Sequence, residues 1–293
     1  MDRAQVSPVS LKRRLENLPF WAVHIGCVGV LFFEFEWKWV ALALLLYWVR
    51  MFGITAGYHR YFSHRTYRMN RFWQFVMAWI GASSLQMGPL WWAAHHRHHH
   101  RYSDQPEDIH SPMRKGFWYS HCFWFLDGHN DRTRMELIPD LTRYPELMWL
   151  NRFHVIPGVL LGWACWYWGG WVCFFWGFAV STTVLWHGTF TINSLAHVFG
   201  SRRFETSDTS RNNFWLALIT LGEGWHNNHH RYQSSTNQGF FWWEIDISYM
   251  VLKALSWVGV VSKIQKAPLH RLLPELHRQN KTAPAFGAEA AEV

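Results

Sequence analysis

The sequence predicts an all-α integral membrane protein with four spanning helices arranged as two hairpins. Three observations carry that expectation. Apolar residues are gathered into runs that approach or reach the roughly 17–25 helical residues needed to cross a hydrocarbon core. Aromatic residues make up 18% of the 293 residues, and 22 are tryptophan. Such rings suit the membrane–water interface, so the near-zero mean hydropathy understates the membrane character. Positive charge is also asymmetric. Arg50, Arg60, Arg65, Arg68 and Arg71 follow the second apolar run, and Arg202, Arg203 and Arg211 follow the fourth.

In chain order, residues 1–18 form a cytosolic segment in which Lys12, Arg13 and Arg14 precede an apolar run from Pro19 to Phe33. This resembles the start of a signal peptide. No small-residue cleavage site follows, however, and a second apolar run comes directly after, so it is read as a retained first helix. The expected spans are about 19–34, 38–56, 153–168 and 170–192, within a single membrane-embedded domain covering 19–272. The links Glu34–Lys38 and Trp168-Gly-Gly-Trp171 are short and carry no cluster of positive charge. The positive-inside rule then places both termini and every histidine cluster in the cytoplasm. After residue 200 the chain is more polar, with an amphipathic stretch at Phe240–Val261 expected to form an interfacial or cap helix. Residues 273–293 form a tail, expected to be disordered from Thr282 to Val293.

A formal charge of +8 suits anionic headgroups or a phosphate-bearing substrate, and equally the usual cytoplasmic Lys/Arg excess of a membrane protein. No nucleic-acid partner is expected. Cys27, Cys122, Cys165 and Cys173 show no C-x-x-C spacing and read as small buried apolar residues.

The chemistry lies in histidine. Nine of nineteen histidines fall into His59-x4-His64, His96-x2-His99-His100, His197 following Asn193, and His226-x2-His229-His230. Residues three and four apart share one helix face. His96, His99 and His100 therefore converge within a sector of about 100°, and His226, His229 and His230 repeat that geometry. Each cluster can serve one metal or bridge a pair. His59 and His64 are about 140° apart on an ideal helix, so they converge only where that helix ends or distorts. Asn193 and His197 share one face of a continuous helix. Many imidazoles with few anionic neighbours indicate a nitrogen-rich site for a first-row transition metal. Asp104, Glu107, Asp108, Glu205, Asp208 and Glu223 are candidates to accept the free imidazole N–H groups, with Asp104, Asp108 and Glu223 foremost. His24 and His187 read as hydrogen-bonded packing residues, and His95 and His98 as flanking or solvent residues. His121, His129, His154, His270 and His277 read as isolated.

These segments make the sequence recognisable. His59-Arg-Tyr-Phe-Ser-His64, the run from Gly88 to Asp104, Asn193-Ser-Leu-Ala-His197 and Gly222-Glu-Gly-Trp-His-Asn-Asn-His-His230 resemble the membrane fatty acyl-CoA desaturases, of the Δ9 kind in its bacterial form. The resemblance covers about 20–265. It implies four membrane helices carrying a cytosolic helical cap, with the nine histidines binding two irons (Fe2+) and Asn193 holding a metal-bound water. It also implies O2 as co-substrate and an acyl chain, carried by CoA, in a kinked tunnel beneath the metals. Arg114 and Lys115 match a basic stretch near the family's headgroup site, whereas Phe125–Asn130 departs from the basic pair of the animal members. No fused cytochrome b5 domain is expected. Electrons are expected from a separate ferredoxin, rubredoxin or cytochrome b5-type protein with its reductase, docking on the basic face.

Two other readings fit parts of the pattern. A membrane hydroxylase of alkyl or acyl chains carries similar clusters, while Asn-x3-His and Gly-Glu-Gly-Trp favour the desaturase. A metal transporter needs ionisable ligands near the bilayer midplane, whereas these clusters fall at helix ends. If the first two clusters share a site, the apolar stretch 72–94 between them must lie in the interface without crossing. A reporter fused at position 95 is accordingly expected on the cytoplasmic side, and external labelling there would overturn the shared-site reading.

Overall fold

Among the described residues, three helical stretches are long and apolar enough to cross a membrane: Leu11–Phe32, Trp37–Ser63 and Ile156–Val198. The structure, a computed structural model, describes residues 10–274; the expected tail disorder and His277 fall outside that range. The described residues are helical, with three isolated β-bridges and no strand.

Helix α1 (Leu11–Glu16) is capped by Ser10, whose side chain accepts from the Arg13 amide. It leads into α2 (Leu18–Gly26), which tightens to a 3-10 helix over Cys27–Phe32. The chain returns as α3 (Trp37–Phe52) and continues without a break as a π-helix over Gly53–Ser63. Arg50 is buried on α3. Its guanidinium donates to Thr182 Oγ1 at 2.8 Å, Ser181 Oγ at 2.5 Å and the Leu46 carbonyl at 3.0 Å.

The stretch 72–94 is two helices. α4 (Arg71–Ala82) has twelve residues, about 18 Å of helix against a core of about 30 Å. It stops at a turn where Leu85 and Met87 take φ of 58° and 67°, and α5 (Pro89–Tyr102) starts anew. The first amides of α5 would otherwise lack partners. Asn151 Oδ1 accepts from Leu90 N at 3.1 Å and Trp91 N at 2.8 Å. Short helices α6 (Pro112–Lys115), α7 (Phe117–His121), α8 (Pro139–Thr142) and α9 (Pro145–Arg152) follow; the last carries Asn151 and packs against α5.

Helix α10 (Ile156–Cys173), a π-helix over Phe174–Val180 and α11 (Ser181–Asn193) follow. Gly170 breaks them into two arms, at φ 65° and ψ −159°, a conformation open to glycine. The arms pack together: a Cβ at Gly177 would lie 3.1 Å from Cys165 Sγ, and one at Gly162 would lie 3.3 Å from the Phe178 ring.

Two expectations change. The helix through Asn193 and His197 is not continuous: α11 ends at Asn193, Ser194 departs at φ −112° and ψ −74°, and His197 sits on α12 (Leu195–Val198). Ser194 competes with the helix, donating its hydroxyl to the Phe190 carbonyl at 2.9 Å. After α13 (Phe214–Ile219) and α14 (His226–Arg231), the amphipathic stretch 240–261 is helical only in α15 (Ile247–Trp257). Glu244 holds the preceding residues in a loop by accepting from the Phe240 and Phe241 amides, and Asp246 caps α15 by accepting from Tyr249 N at 3.0 Å.

Arg60, 1% exposed, ties the π-helix to the cap. It donates to Glu223 Oε1 at 3.0 and 3.1 Å, to both Asp246 oxygens at 2.9 Å and to the Thr236 carbonyl at 2.8 Å. Gly222, at φ 119°, permits this approach, since a Cβ there would come within 2.3 Å of Asp246 Oδ1. Arg60→Met leaves two buried carboxylates without their cation, which costs roughly 3–5 kcal/mol. The expected outcome is a clear fall in the thermal midpoint of the detergent-solubilised protein, with Arg13→Met, at a partly exposed position, falling less.

Candidate metal centre

The nine histidines of the four clusters come together as two adjacent groups. His59, His64, His96, His100 and His229 form one, and His99, His197, His226 and His230 the other; within each group one nitrogen per ring lies within 4.8 Å of all the rest. The second cluster works as its spacing implies, along one face of α5, and His226, His229 and His230 do the same on α14. His59 and His64 meet through the π-helix. The His64 amide donates to the His59 carbonyl five residues back, at 3.2 Å, and the ring centroids are 4.9 Å apart. This i to i+5 bond is the distortion that a five-residue spacing requires.

The nitrogens that converge are Nε2. His59 and His229 approach to 3.0 Å, His229 and His100 to 2.9 Å, His100 and His96 to 2.9 Å, and His96 and His64 to 2.8 Å. In the second group His226 and His197 approach to 3.1 Å, and His230 Nε2 is buried without a partner. So many ring nitrogens aimed at one another cannot all be satisfied by N–H···N bonds, whereas a cation among them satisfies the lone pairs together. The donor set therefore fits a divalent metal in each group.

Carboxylates fix four of the rings. His59 Nδ1 lies 2.5 Å from Glu223, His99 Nδ1 3.0 Å from Asp108, His197 Nδ1 3.3 Å from Asp104 and His230 Nδ1 2.7 Å from Asp208. An Nδ1–H donated to a carboxylate leaves Nε2 as the free ligand atom. Glu107 and Glu205 make no such contact among the described residues; the Glu107 carbonyl instead meets half-buried His98 at 3.0 Å.

Burial, then the neighbouring imidazoles, holds His64, His96, His100, His226 and His229 well below the ordinary histidine range. Burial lowers His230 to about 4 despite Asp208. At His99 burial alone would lower the value, but Asp108, Asp104 and Asp208 outweigh it and raise it. Burial would likewise raise Asp108, Asp208 and Asp104, yet their histidine partners hold all three below the usual carboxylate range. The six lowered rings are favoured in the neutral form, the protonation state in which imidazole binds metal.

A cavity of about 510 Å³ approaches this assembly. Its outer lining includes Arg13, Glu16, Asn17 and Asp131, and its walls include Trp91, Trp124, Phe125, Trp186 and Phe190. A smaller one, about 40 Å³, lies among the imidazoles and Met51, Ile54 and Thr55. The two meet at Trp92, His96, His110, Thr189 and Asn193. Asn193 thus stands between cavity and histidines, its carbonyl accepting from Ser120 Oγ at 2.6 Å. Arg13 secures α1 over the outer end, donating to the Phe125 and Leu126 carbonyls at 2.5 and 2.7 Å and to Asp131 at 2.8 Å. Arg114 and Lys115 line neither cavity; Arg114 donates to the Asp104 carbonyl at 2.9 Å and Lys115 lies over Tyr119.

No ligand spacing marks His110, which stacks on His99 at 4.3 Å and with it and Asp108 forms a third, smaller group. Its only mark is position, ten residues beyond the second cluster. Nor is His121 isolated. It is buried and lies in a string in which His24 and His187 approach at 3.1 Å, His187 and His121 at 3.0 Å, and His121 and Ser194 Oγ at 2.9 Å. His95 lines the larger cavity, stacked on Trp91 at 4.2 Å, and burial takes it down to about 4.

Known proteins are similar to this chain over most of its length. A family model described as fatty acid desaturase matches residues 36–246. The chain is 37% identical over 249 residues to Delta-9 acyl-lipid desaturase 1 of Arabidopsis thaliana, covering 83% of this chain and 80% of that one. It is 35% identical over 265 residues to the sn-2 palmitoyl-lipid 9-desaturase of Nostoc sp. (strain 36), covering 86% and 90%. It is 36% identical over 247 residues to Acyl-CoA 5-desaturase AL21 of Anemone leveillei, covering 83% and 76%. The histidine clusters and most of the helical frame lie inside the matched region, and the chain belongs to the fatty acid desaturase family.

Proposed function

We propose that this desaturase inserts a double bond at the Δ9 position of a long-chain fatty acyl substrate, using O2 and two irons. The observation that carries the reading is the pair of adjacent imidazole groups meeting an apolar cavity at Trp92, His96, Thr189 and Asn193. His59, His64, His96, His100 and His229 would hold one iron. His99, His197, His226 and His230 would hold the other, with Asn193 acting through a water. The irons supply, with O2, the oxidant that an unactivated C–H bond demands. Two hydrogens leave adjacent methylenes, two electrons and two protons arrive from outside, and one O2 becomes two waters. The electrons come from a separate ferredoxin, rubredoxin or cytochrome b5-type protein.

The chain's own residues position and exclude. Glu223, Asp108, Asp104 and Asp208 hold the ring tautomers. Tryptophan and phenylalanine walls keep water from the acyl chain, and Gln86 Nε2, donating to Thr189 Oγ1 at 3.0 Å, fixes the wall where the two cavities meet. In this reading four helices cross the inner membrane, 72–94 stays in the interface, and both termini and the metal centre are cytoplasmic.

The acyl carrier expected is CoA, with Arg114 and Lys115 near the headgroup. A glycerolipid-bound chain is favoured by the outer end of the cavity, where Arg13 is already bound to Asp131 and Glu16 adds a second acid. A polyanionic carrier gains little there.

Expression in a desaturase-deficient host, followed by gas chromatography of total fatty acids, is expected to show a new Δ9 double bond. A hydroxylated chain without a double bond would instead identify a hydroxylase. His99→Ala and His230→Ala are expected to abolish product and lower bound iron, while His24→Ala leaves iron content close to that of the parent. Asp108→Asn keeps the hydrogen-bond length but loses the anion, and a 10–100-fold loss of metal affinity or activity is the expected order, measured by iron content and turnover. With the purified enzyme, product on acyl-CoA in detergent or on phospholipid in vesicles separates the two carriers.

A further inference from the structure

A third cavity, about 530 Å³, lies apart from the chemistry just described. It is lined by Arg65, Arg68 and Arg143, by Tyr61, Tyr67 and Tyr144, and by Met69 and Gln265; it shares no lining residue with the other two. No carboxylate lines it. The nearby acids are occupied elsewhere. Asp140 accepts from Arg97 at 2.7 and 3.1 Å, and Glu146 accepts from Arg71 at 2.7 Å through both oxygens. Arg65 reaches Asp140 only at 3.6 Å, and its Nη1 is buried without a hydrogen-bond partner. The Arg68 side chain has no ion-pair or hydrogen-bond partner among the described residues, and Arg143 meets only the Tyr144 hydroxyl, at 3.0 Å.

Two of these guanidiniums are held in place by aromatic faces. Arg65 lies 4.6 Å over Tyr61 and Arg143 lies 5.0 Å over Tyr144. A guanidinium stacked on a ring keeps its N–H fork in the plane, open for bidentate bonding to an oxyanion. The backbone at Arg65 is fixed too, at φ 54°, with its amide bonded to the Tyr61 carbonyl and its carbonyl accepting from Gln265 Nε2. Three cations in one concavity repel one another until an anion enters, and a phosphate group, with several acceptor oxygens, matches three donors better than a single carboxylate does.

We infer that this cavity binds a phosphate-bearing anion, separately from the acyl substrate. A soluble phosphate compound and a phospholipid headgroup present the same chemistry, and the helices that follow Met69 and Tyr144 in sequence carry exposed Phe72 and Trp149.

The test uses the full-length enzyme. Isothermal titration with inorganic pyrophosphate in detergent is compared with native mass spectrometry after release from nanodiscs of phosphatidylglycerol or phosphatidylcholine. Pyrophosphate is expected to bind the parent, weaken as salt rises, and bind Arg68→Gln/Arg143→Gln at least about tenfold less tightly, the scale of a lost charged hydrogen bond. Retention of phosphatidylglycerol by the parent alone, without pyrophosphate binding, assigns the site to a headgroup. Unchanged desaturation by the double variant shows that it has folded; Arg143→Gln alone, at an exposed position, serves if it has not. Failure of both probes to bind the parent, or equal binding by parent and variant, overturns the inference.

Discussion

Nine imidazole rings whose free nitrogens face one another in two small volumes are the constraint from which the rest of this structure follows. Lone pairs buried at such separations repel unless something positive lies among them. The rings must also be neutral, with Nδ1 protonated and turned outward, or Nε2 is lost to the centre. Glu223, Asp108, Asp104 and Asp208 impose that orientation on four rings, one from each of the four clusters. Those carboxylates are themselves buried and need cations or donors. Glu223 receives Arg60, which also serves Asp246, so the orientation of His59 depends on an arginine one residue away that grips the cap.

The framework serves this arrangement from two directions. From the helical hairpins come His59 and His64, the Asn193 corner and the Trp186 and Phe190 walls of the cavity that reaches it. From the loops after α5, α12 and α13 come the acids. Arg97 links the parts: it donates to the Phe62 and Ser63 carbonyls at 2.9 Å and to Asp140, so the helix bearing the second cluster is tied to the end of the π-helix bearing the first. Within the nine-histidine set, the chain places the five-residue pair His59 and His64 where its backbone departs from α-geometry.

Much of this was legible in the sequence. The clusters on α5 and α14 follow from three- and four-residue spacing, which depends only on local helix geometry. Asp104, Asp108 and Glu223 were readable as partners because each lies within a few residues of a cluster. The His59–His64 distortion could be anticipated but not named, since whether a helix ends or widens depends on what packs against Gly57 and Gly53. Ser194 breaks a helix that periodicity would continue to His197. Least visible were contacts between distant segments: His110 against His99, the string from His24 to Ser194, and Arg13 laid over the 125–131 loop. Pairings of that kind are set by tertiary packing, and one sequence carries no record of them.

The π-helix at Gly53–Ser63 also acts as a length standard. Deleting one residue between His59 and His64 would leave the four-residue spacing that an ordinary α-helix satisfies, so the metal centre alone does not demand the wider turn. Everything downstream would then rotate by about 100°. Arg65, Tyr67 and Arg68, which reach the third cavity, and the Arg68–Ser262 bridge that anchors the returning chain would all lose register. The extra residue couples the spacing of two histidines to the position of a basic surface that does not touch them.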